Sequence, residues 1–152
     1  MIRDAVCETF MAKPKPQPIT QAQYETLASF RFALRKFLRF SEQAAQSVGI
    51  TPQQHQALLV IKGFSDGKKV TVGDLAERLQ VAHHSAVGLI DRMTLEKWVK
   101  REPSKTDKRQ VFISLTKRGE RVLEGLSALH HEELRRVGPE IQGLLSRLGN
   151  EE

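Results

Sequence analysis

Apolar residues recur at helical spacing over most of this chain and alternate as in a strand only briefly. Leu27, Phe30, Leu34, Phe37, Ala44 and Val48 form one stripe on a helix expected from Gln21 to Val48, which Gly49 closes. Phe32 and Phe40 lie off that stripe, so this helix is apolar on two sides and needs two packing partners. Thr51 as N-cap and Pro52 at the first helical position open a second helix, Gln53 to Phe64. Ala57, Leu58, Val60 and Ile61 point inward there, and His55 reads as a surface residue. Ser65-Asp66-Gly67-Lys68 is a turn, and Val70 begins a short strand. Thr71 then caps a helix of about two turns, with Asp74 placed for a capping box and Leu75, Ala76 and Leu79 on one face. After the turn Gln80-Val81-Ala82, a further helix from about His83 gathers Ala86, Leu89, Ile90 and Met93 on one side. Trp98 and Val99 start a strand that Pro103 and Ser104 break, and Gln110 to Leu115 is its partner. Leu123, Leu126, Leu129, Leu134 and Val137 line a last long helix. Gly138-Pro139 is expected to interrupt it before a short helix with Ile141, Leu144, Leu145 and Leu148.

Two short helices joined by a tight turn, with small Ala76 allowing a close crossing, form the skeleton of a helix-turn-helix. The outer face of the second helix carries His83, His84, Ser85, Gly88 and Arg92. A protruding helix of that kind fits the major groove of B-DNA. The hairpin that follows holds six Lys or Arg from Lys97 to Arg109, against only Glu102 and Asp107. A basic hairpin directly after a helix-turn-helix is a wing. Its Arg101, Lys105, Lys108 and Arg109 can lie along phosphates or enter a minor groove, whose negative potential favours arginine.

Asp107-Lys108-Arg109 followed by Ile113-Ser114-Leu115-Thr116-Lys117-Arg118-Gly119 resembles the D-x-R-x-x-x-I-x-L-T-x-x-G wing signature of MarR-family winged-helix transcriptional regulators. LAERL from Leu75 and LIDRM from Leu89 resemble the same family at matching spacing. The resemblance implies a homodimer whose recognition helices enter major grooves and whose wings reach flanking minor grooves. It implies that Arg109 is the wing-tip arginine and that Asp107 holds the tip in shape. It also implies repression relieved by a small-molecule effector. Ala82 departs from a common capping Ser and Gln80 from a common Gly, so strain is expected in the turn. His83-His84 also departs, which leaves the operator open.

The expected fold is therefore mainly α with a minor β part, a winged helix-turn-helix flanked by helices. Residues 1–18 form an extended or disordered Pro-rich tail, 51–116 the DNA-binding domain, and 19–50 with 117–152 a helical dimerisation region. The Leu-rich helices cannot bury themselves alone. Leu27, Phe30 and Leu34 are expected to meet Leu126, Leu134, Ile141, Leu145 and Leu148 across a two-fold axis. Such a dimer reads a pseudo-palindromic duplex. A net charge of +6 favours a polyanionic partner, and Glu120 to Glu152 runs against it with four Arg and seven Glu, as befits a face turned to another subunit. No apolar run approaches the roughly 20 residues of a bilayer span and MIRDAVCETF does not read as a signal peptide, so cytoplasmic residence is the default. The adjacent His pairs 83–84 and 130–131 diverge on a helix, and no P-loop, C-x-x-C or H-E-x-x-H occurs. No enzyme, cofactor or metal site is expected. The competing readings are a winged-helix module that binds protein without DNA, and a thiol-based sensor through Cys7, which lies upstream of the Pro-rich stretch and lacks a pocket to depress its pKa.

Overall fold

A computed structural model describes residues 18–64 and 69–149. The expected N-terminal tail with Cys7, and the turn at Ser65 to Lys68, lie outside the described residues. Helix α1 spans Gln21–Ser47 and α2 Pro52–Gly63. Strand β1 (Val70–Thr71) leads into α3 (Val72–Leu79) and α4 (His83–Leu95). Strands β2 (Val99–Pro103) and β3 (Val111–Leu115) precede α5, Lys117–Gly149. The fold is mainly helical with one small sheet, as the pattern of the chain predicts.

Capping fixes where helices begin. Thr20, Thr51 and Thr71 each accept a hydrogen bond from the third helical backbone N–H, while the side-chain oxygens of Gln23, Gln54 and Asp74 accept one from the backbone N–H of the cap. Two free donors are satisfied at each start. A different device ends three helices. Gly49, Gln80 and Lys97 stand in the left-handed region at φ of 80°, 54° and 63°. The next backbone N–H in each case reaches back five residues, Ile50 to Ala45, Val81 to Ala76 and Trp98 to Met93. This closure satisfies carbonyls that the helix leaves open.

The sheet is antiparallel in the order β1-β3-β2, with Val70 opposite Ile113 and Val99 opposite Leu115. One face lies on the core and only Ile113 of β3 is fully buried, because the hairpin projects beyond the helices. The core itself joins Leu58 and Ile61 of α2, Leu75 of α3, Leu89, Ile90 and Met93 of α4, and Val99. Each is under 2% exposed except Leu89 at 2%. Burying a side chain of that size is worth roughly 1.5–3 kcal/mol, so this cluster dominates the stability.

Two expectations about α5 are corrected. The helix runs unbroken through Gly138 and Pro139. Proline removes one intrahelical hydrogen bond, but Pro139 and the preceding turn at Arg135 are exposed, where water can satisfy the freed carbonyl. Buried Val137 and Leu144 hold the helix to α1 on either side of it. Leu126, read as a dimerisation residue, is 1% exposed and packs with Leu123 in the winged-helix core. The first turns of α5 thus complete the core before the helix leaves it. On α1 the buried residues are Thr26, Ala33, Ser41 and Ala45, so α5 covers a stripe one position round from Leu27 and Val48, which are 41% and 43% exposed.

Candidate nucleic-acid interface

Helix α4 is held by Ala86, Leu89, Ile90 and Met93, all buried, and this fixes which way its other side faces. His83, His84, Ser85 and Arg92 are exposed and Gly88 is partly so. All five occur on one continuous outer face. A Cβ at Gly88 would meet only Arg92 Nη1, at 3.7 Å, so nothing inside the protein requires glycine there. Ala82 at the N-cap makes no side-chain cap hydrogen bond. No side chain caps the first turn of α4 at the end where His83 and His84 stand, although the Ser85 N–H donates to the Ala82 carbonyl at 3.0 Å, and a helix N-terminus favours anionic groups such as phosphate.

The wing is shaped by a small polar network. Ser104, buried, accepts hydrogen bonds through Oγ from the backbone N–H of Thr106 (3.2 Å) and Asp107 (3.1 Å). Its own N–H donates to the Gln110 carbonyl at 2.9 Å. Asp107 Oδ1 accepts from the Arg109 backbone N–H at 3.0 Å and lies 3.6 Å from its Nε. The Arg109 side chain is 93% exposed at the tip. Lys105 and Lys108 are exposed beside it. Asp107 thus contacts both the backbone and the side chain of Arg109 at the tip.

Arg101 stands apart from the other basic residues. Its Nη2 pairs with Asp91 Oδ1 of α4 at 2.6 Å, so it is committed within the protein. This pair ties β2 to the outer side of α4 and sets the wing's position relative to that helix. Behind it, Glu96 Oε2 accepts from Gln54 Nε2 and from Trp98 Nε1, each at 2.8 Å, while the Arg118 guanidinium lies 4.0 Å from the Trp98 ring centroid. Lys100 holds the Glu102 carboxyl below the usual carboxylate range, with Ser114 adding a hydrogen bond, so the acid on β2 stays charged and engaged. A hairpin so braced presents Lys105 and Lys108, with Arg109 held loosely by Asp107 and 93% exposed, at its tip.

The residues expected to join subunits separate into two sets. Leu27, Leu134 and Leu145 are 41–50% exposed, and Phe30, Leu34, Ile141 and Leu148 are half-buried. Leu126 is the one removed from the surface.

His55, read as a surface residue, is 3% exposed, and neither ring nitrogen has a hydrogen-bond partner among the described residues. Its ring lies against that of His130 of α5, tilted by 48° with 4.7 Å between centroids. His130 Nδ1 donates to the Leu126 carbonyl and its Nε2 meets Ser41 Oγ of α1, both at 2.7 Å. Burial, and then the neighbouring His130, push the His55 pKa below its ordinary value. The available signal was that His130 follows Leu126 by four residues and so shares the buried stripe.

Residues 48–110 match the model of the MarR family. Over 85 residues the chain is 33% identical to the transcriptional activatory protein BadR of Rhodopseudomonas palustris, covering 56% of this chain and 49% of BadR. Over 121 residues it is 28% identical to YsmB, an HTH-type transcriptional regulator of Bacillus subtilis, covering 77% and 81%. The chain spans half or less of the length of the first curated relatives it matches, at 49% of BadR and 41% of B. subtilis YfiV. Among solved structures, a MepR mutant of S. aureus bound to an oligodeoxyribonucleotide superposes with a TM-score of 0.64 at 21% identity, covering 86% of this chain and 99% of that one. E. coli MarR in its apo form gives 0.64 at 24%, covering 88% and 97%. These structures share the fold.

Proposed function

We propose, from the match of residues 48–110 to the MarR family model, that the protein is a homodimeric, sequence-specific DNA-binding transcriptional regulator, a repressor released by a small-molecule effector. The observation that carries this reading is the Asp91–Arg101 pair, which joins a helix with an outward polar face to a hairpin ending in an exposed arginine. Helix and wing then meet a duplex as one surface. His83, His84, Ser85, Gly88 and Arg92 face base edges in the major groove, and Lys105, Lys108 and Arg109 face phosphates and an adjoining minor groove. Arg101 and Asp107 act indirectly, by holding the wing in place.

Two copies paired through the exposed apolar faces of α1 and α5 read a pseudo-palindrome, with half-sites about one helical turn apart. A dimer across a promoter occludes it. An effector that binds better to a state with differently spaced recognition helices empties the operator by shifting the population. The likeness to a DNA-bound MepR mutant supports the placement of helix and wing.

Selection of bound sites from random duplexes is expected to return an inverted repeat. On that site, Arg109→Ala should weaken binding about tenfold and lower the salt slope by about one, with A·T-rich flanks losing most. Changing His84 or Ser85 should instead alter which inner base pairs are preferred. Unchanged affinity in Arg109→Ala would remove the wing from the interface. A chain that stays monomeric at micromolar concentration would remove the dimer.

A further inference from the structure

Nothing in the protein around Gly88 explains why a glycine stands there. It lies inside α4 without a left-handed φ, and glycine is the poorest helix former after proline. A Cβ at this position would meet nothing within 4 Å except Nη1 of Arg92, at 3.7 Å. The fold therefore carries a helix-weakening residue at a place where alanine fits. What lies over that place is the Arg92 guanidinium, turned back by one helical turn from its own Cα, the direction in which long helical side chains lean. The side chain is exposed, and no hydrogen bond or ion pair engages it among the described residues. Asp91, the neighbouring acid, is taken by Arg101 at 2.6 Å.

We propose that Arg92 reads a guanine on the floor of the major groove, one in each half-site, and that Gly88 is the positioning residue that keeps its lane open. This deepens the DNA-binding reading and rests on it. His84, Gly88 and Arg92 follow one another at a spacing of four on the outer face of α4, so the Arg92 side chain runs along that face and not off its edge. The outer face of a helix seated in the groove meets base edges, and phosphates flank it on either side. The lean carries the guanidinium about 5 Å toward the N-terminal end, which is the end that reaches bases in helix-turn-helix proteins. There its planar pair of N–H donors matches guanine, whose O6 and N7 both accept. Adenine sets a donor beside N7 and leaves one N–H of the fork unpaired. A side chain longer than that of alanine at position 88 would occupy the place where the guanidinium lies.

The full chain and the variants Arg92→Ala, Gly88→Ala and Gly88→Leu each select sites from random duplexes, and affinities are then measured on the site of the parent. The parent should require guanine at one position of each half-site and lose about tenfold in affinity for any other base there. Arg92→Ala should reduce that preference to less than about twofold while the remaining positions keep theirs. Replacing this guanine by 7-deazaguanine, which still pairs with cytosine but lacks the N7 acceptor, should cost the parent about fivefold and Arg92→Ala nothing. Gly88→Ala should raise the melting temperature by about 2–4 °C and retain the preference. Gly88→Leu should melt no lower than the parent yet lose the preference as Arg92→Ala does. A protein as stable as the parent that discriminates less is an outcome that a merely structural glycine does not produce.

Arg92→Ala binding every duplex more weakly by one factor, with the salt slope reduced by about one and base preferences intact, would put Arg92 on a phosphate and overturn the proposal. An undiminished guanine preference in Gly88→Leu would overturn the role of Gly88. A parent that selects no site at all would sink the DNA-binding reading itself, and the proposal with it, so the two failures are told apart.

Discussion

The winged helix and the two long helices flanking it satisfy their apolar residues in different ways. Leu58, Ile61, Leu75, Ile90, Met93 and Val99 are at most 1% exposed, and this chain alone encloses them. On α1 and the distal part of α5, Phe32, Leu38, Leu134 and Leu145 are 45–56% exposed, and the small residues Ala33 and Ala45 take the inner positions instead. The first region is complete in one copy, whereas the second offers a surface. The same residue type therefore carries a different energy in each. Ile90→Ala should cost about 3–5 kcal/mol, through lost transfer free energy and the cavity left behind. Leu145→Ala should change the unfolding free energy of a single chain by less than about 0.5 kcal/mol, and show instead in the dissociation constant of the proposed dimer. Urea unfolding at two protein concentrations separates these outcomes. Similar losses for both substitutions would erase the distinction.

The junction between the regions provides the next test. Gly119 opens α5 against the turn out of α4, and a Cβ there would overlap the carbonyl oxygen of Trp98. That backbone is fixed by the Thr116 N–H, which donates to the same carbonyl at 3.1 Å, so it cannot retreat cheaply. Gly119→Ala should cost about 2–3 kcal/mol, and it should move the wing, since Trp98 leads directly into β2. Thermal unfolding checks the first effect. Changes in the amide spectrum of Val99 to Pro103 check the second.

Much of this architecture was legible because it is written in local spacing. Thr51-Pro52 and Thr71 with Asp74 announce helix starts through contacts three residues long. The apolar set Ala86, Leu89, Ile90 and Met93 states which face of α4 turns outward. Gln80 was legible as a difficulty, and its φ of 54° shows the reason. What escaped depends on contacts distant along the chain. His55 sits beside Gln54 and Leu58 on α2, and nothing within twenty residues says that His130 will cover it. Arg101 looked like any wing cation until the fold brought Asp91 to within 2.6 Å. Pro139 carried a strong local breaking signal, which packing of Val137 and Leu144 against α1 overrides.

The His55 contact between the regions gives a pH signature. Its pKa is lowered by burial and by His130, so the folded state takes up this proton at lower pH than the unfolded chain does. Stability from this group is therefore fully present above the ordinary histidine value of 6.5 and is lost as pH falls from there through the lowered folded value. Unfolding free energy should decline below about pH 6.5, more gently than either packing change acts, and His55→Phe should flatten that decline. A decline of the same steepness in both proteins would assign it to other groups.

The smallest effects sharpen the contrast within the winged helix itself. Three helix ends close through a left-handed residue, and only Gly49 is the residue type that adopts it freely. A Cβ at Gly49 meets nothing within 4 Å, so Gly49→Ala tests backbone strain alone and should cost about 1 kcal/mol. The reverse change at Lys97, whose side chain is exposed, should gain about 0.5 kcal/mol, the relieved strain outweighing the added freedom of the unfolded chain. Gln80→Gly should gain less than Lys97→Gly, because the Gln80 amide donates to the Glu77 carbonyl at 2.7 Å and that bond is lost. The order Lys97→Gly, then Gln80→Gly, then Gly49→Ala, from most to least stable in urea, identifies backbone conformation as the cause. A Gln80→Gly protein less stable than the parent would instead show that the side-chain bond, and not the turn's dihedral angles, holds α3 in place behind the recognition helix.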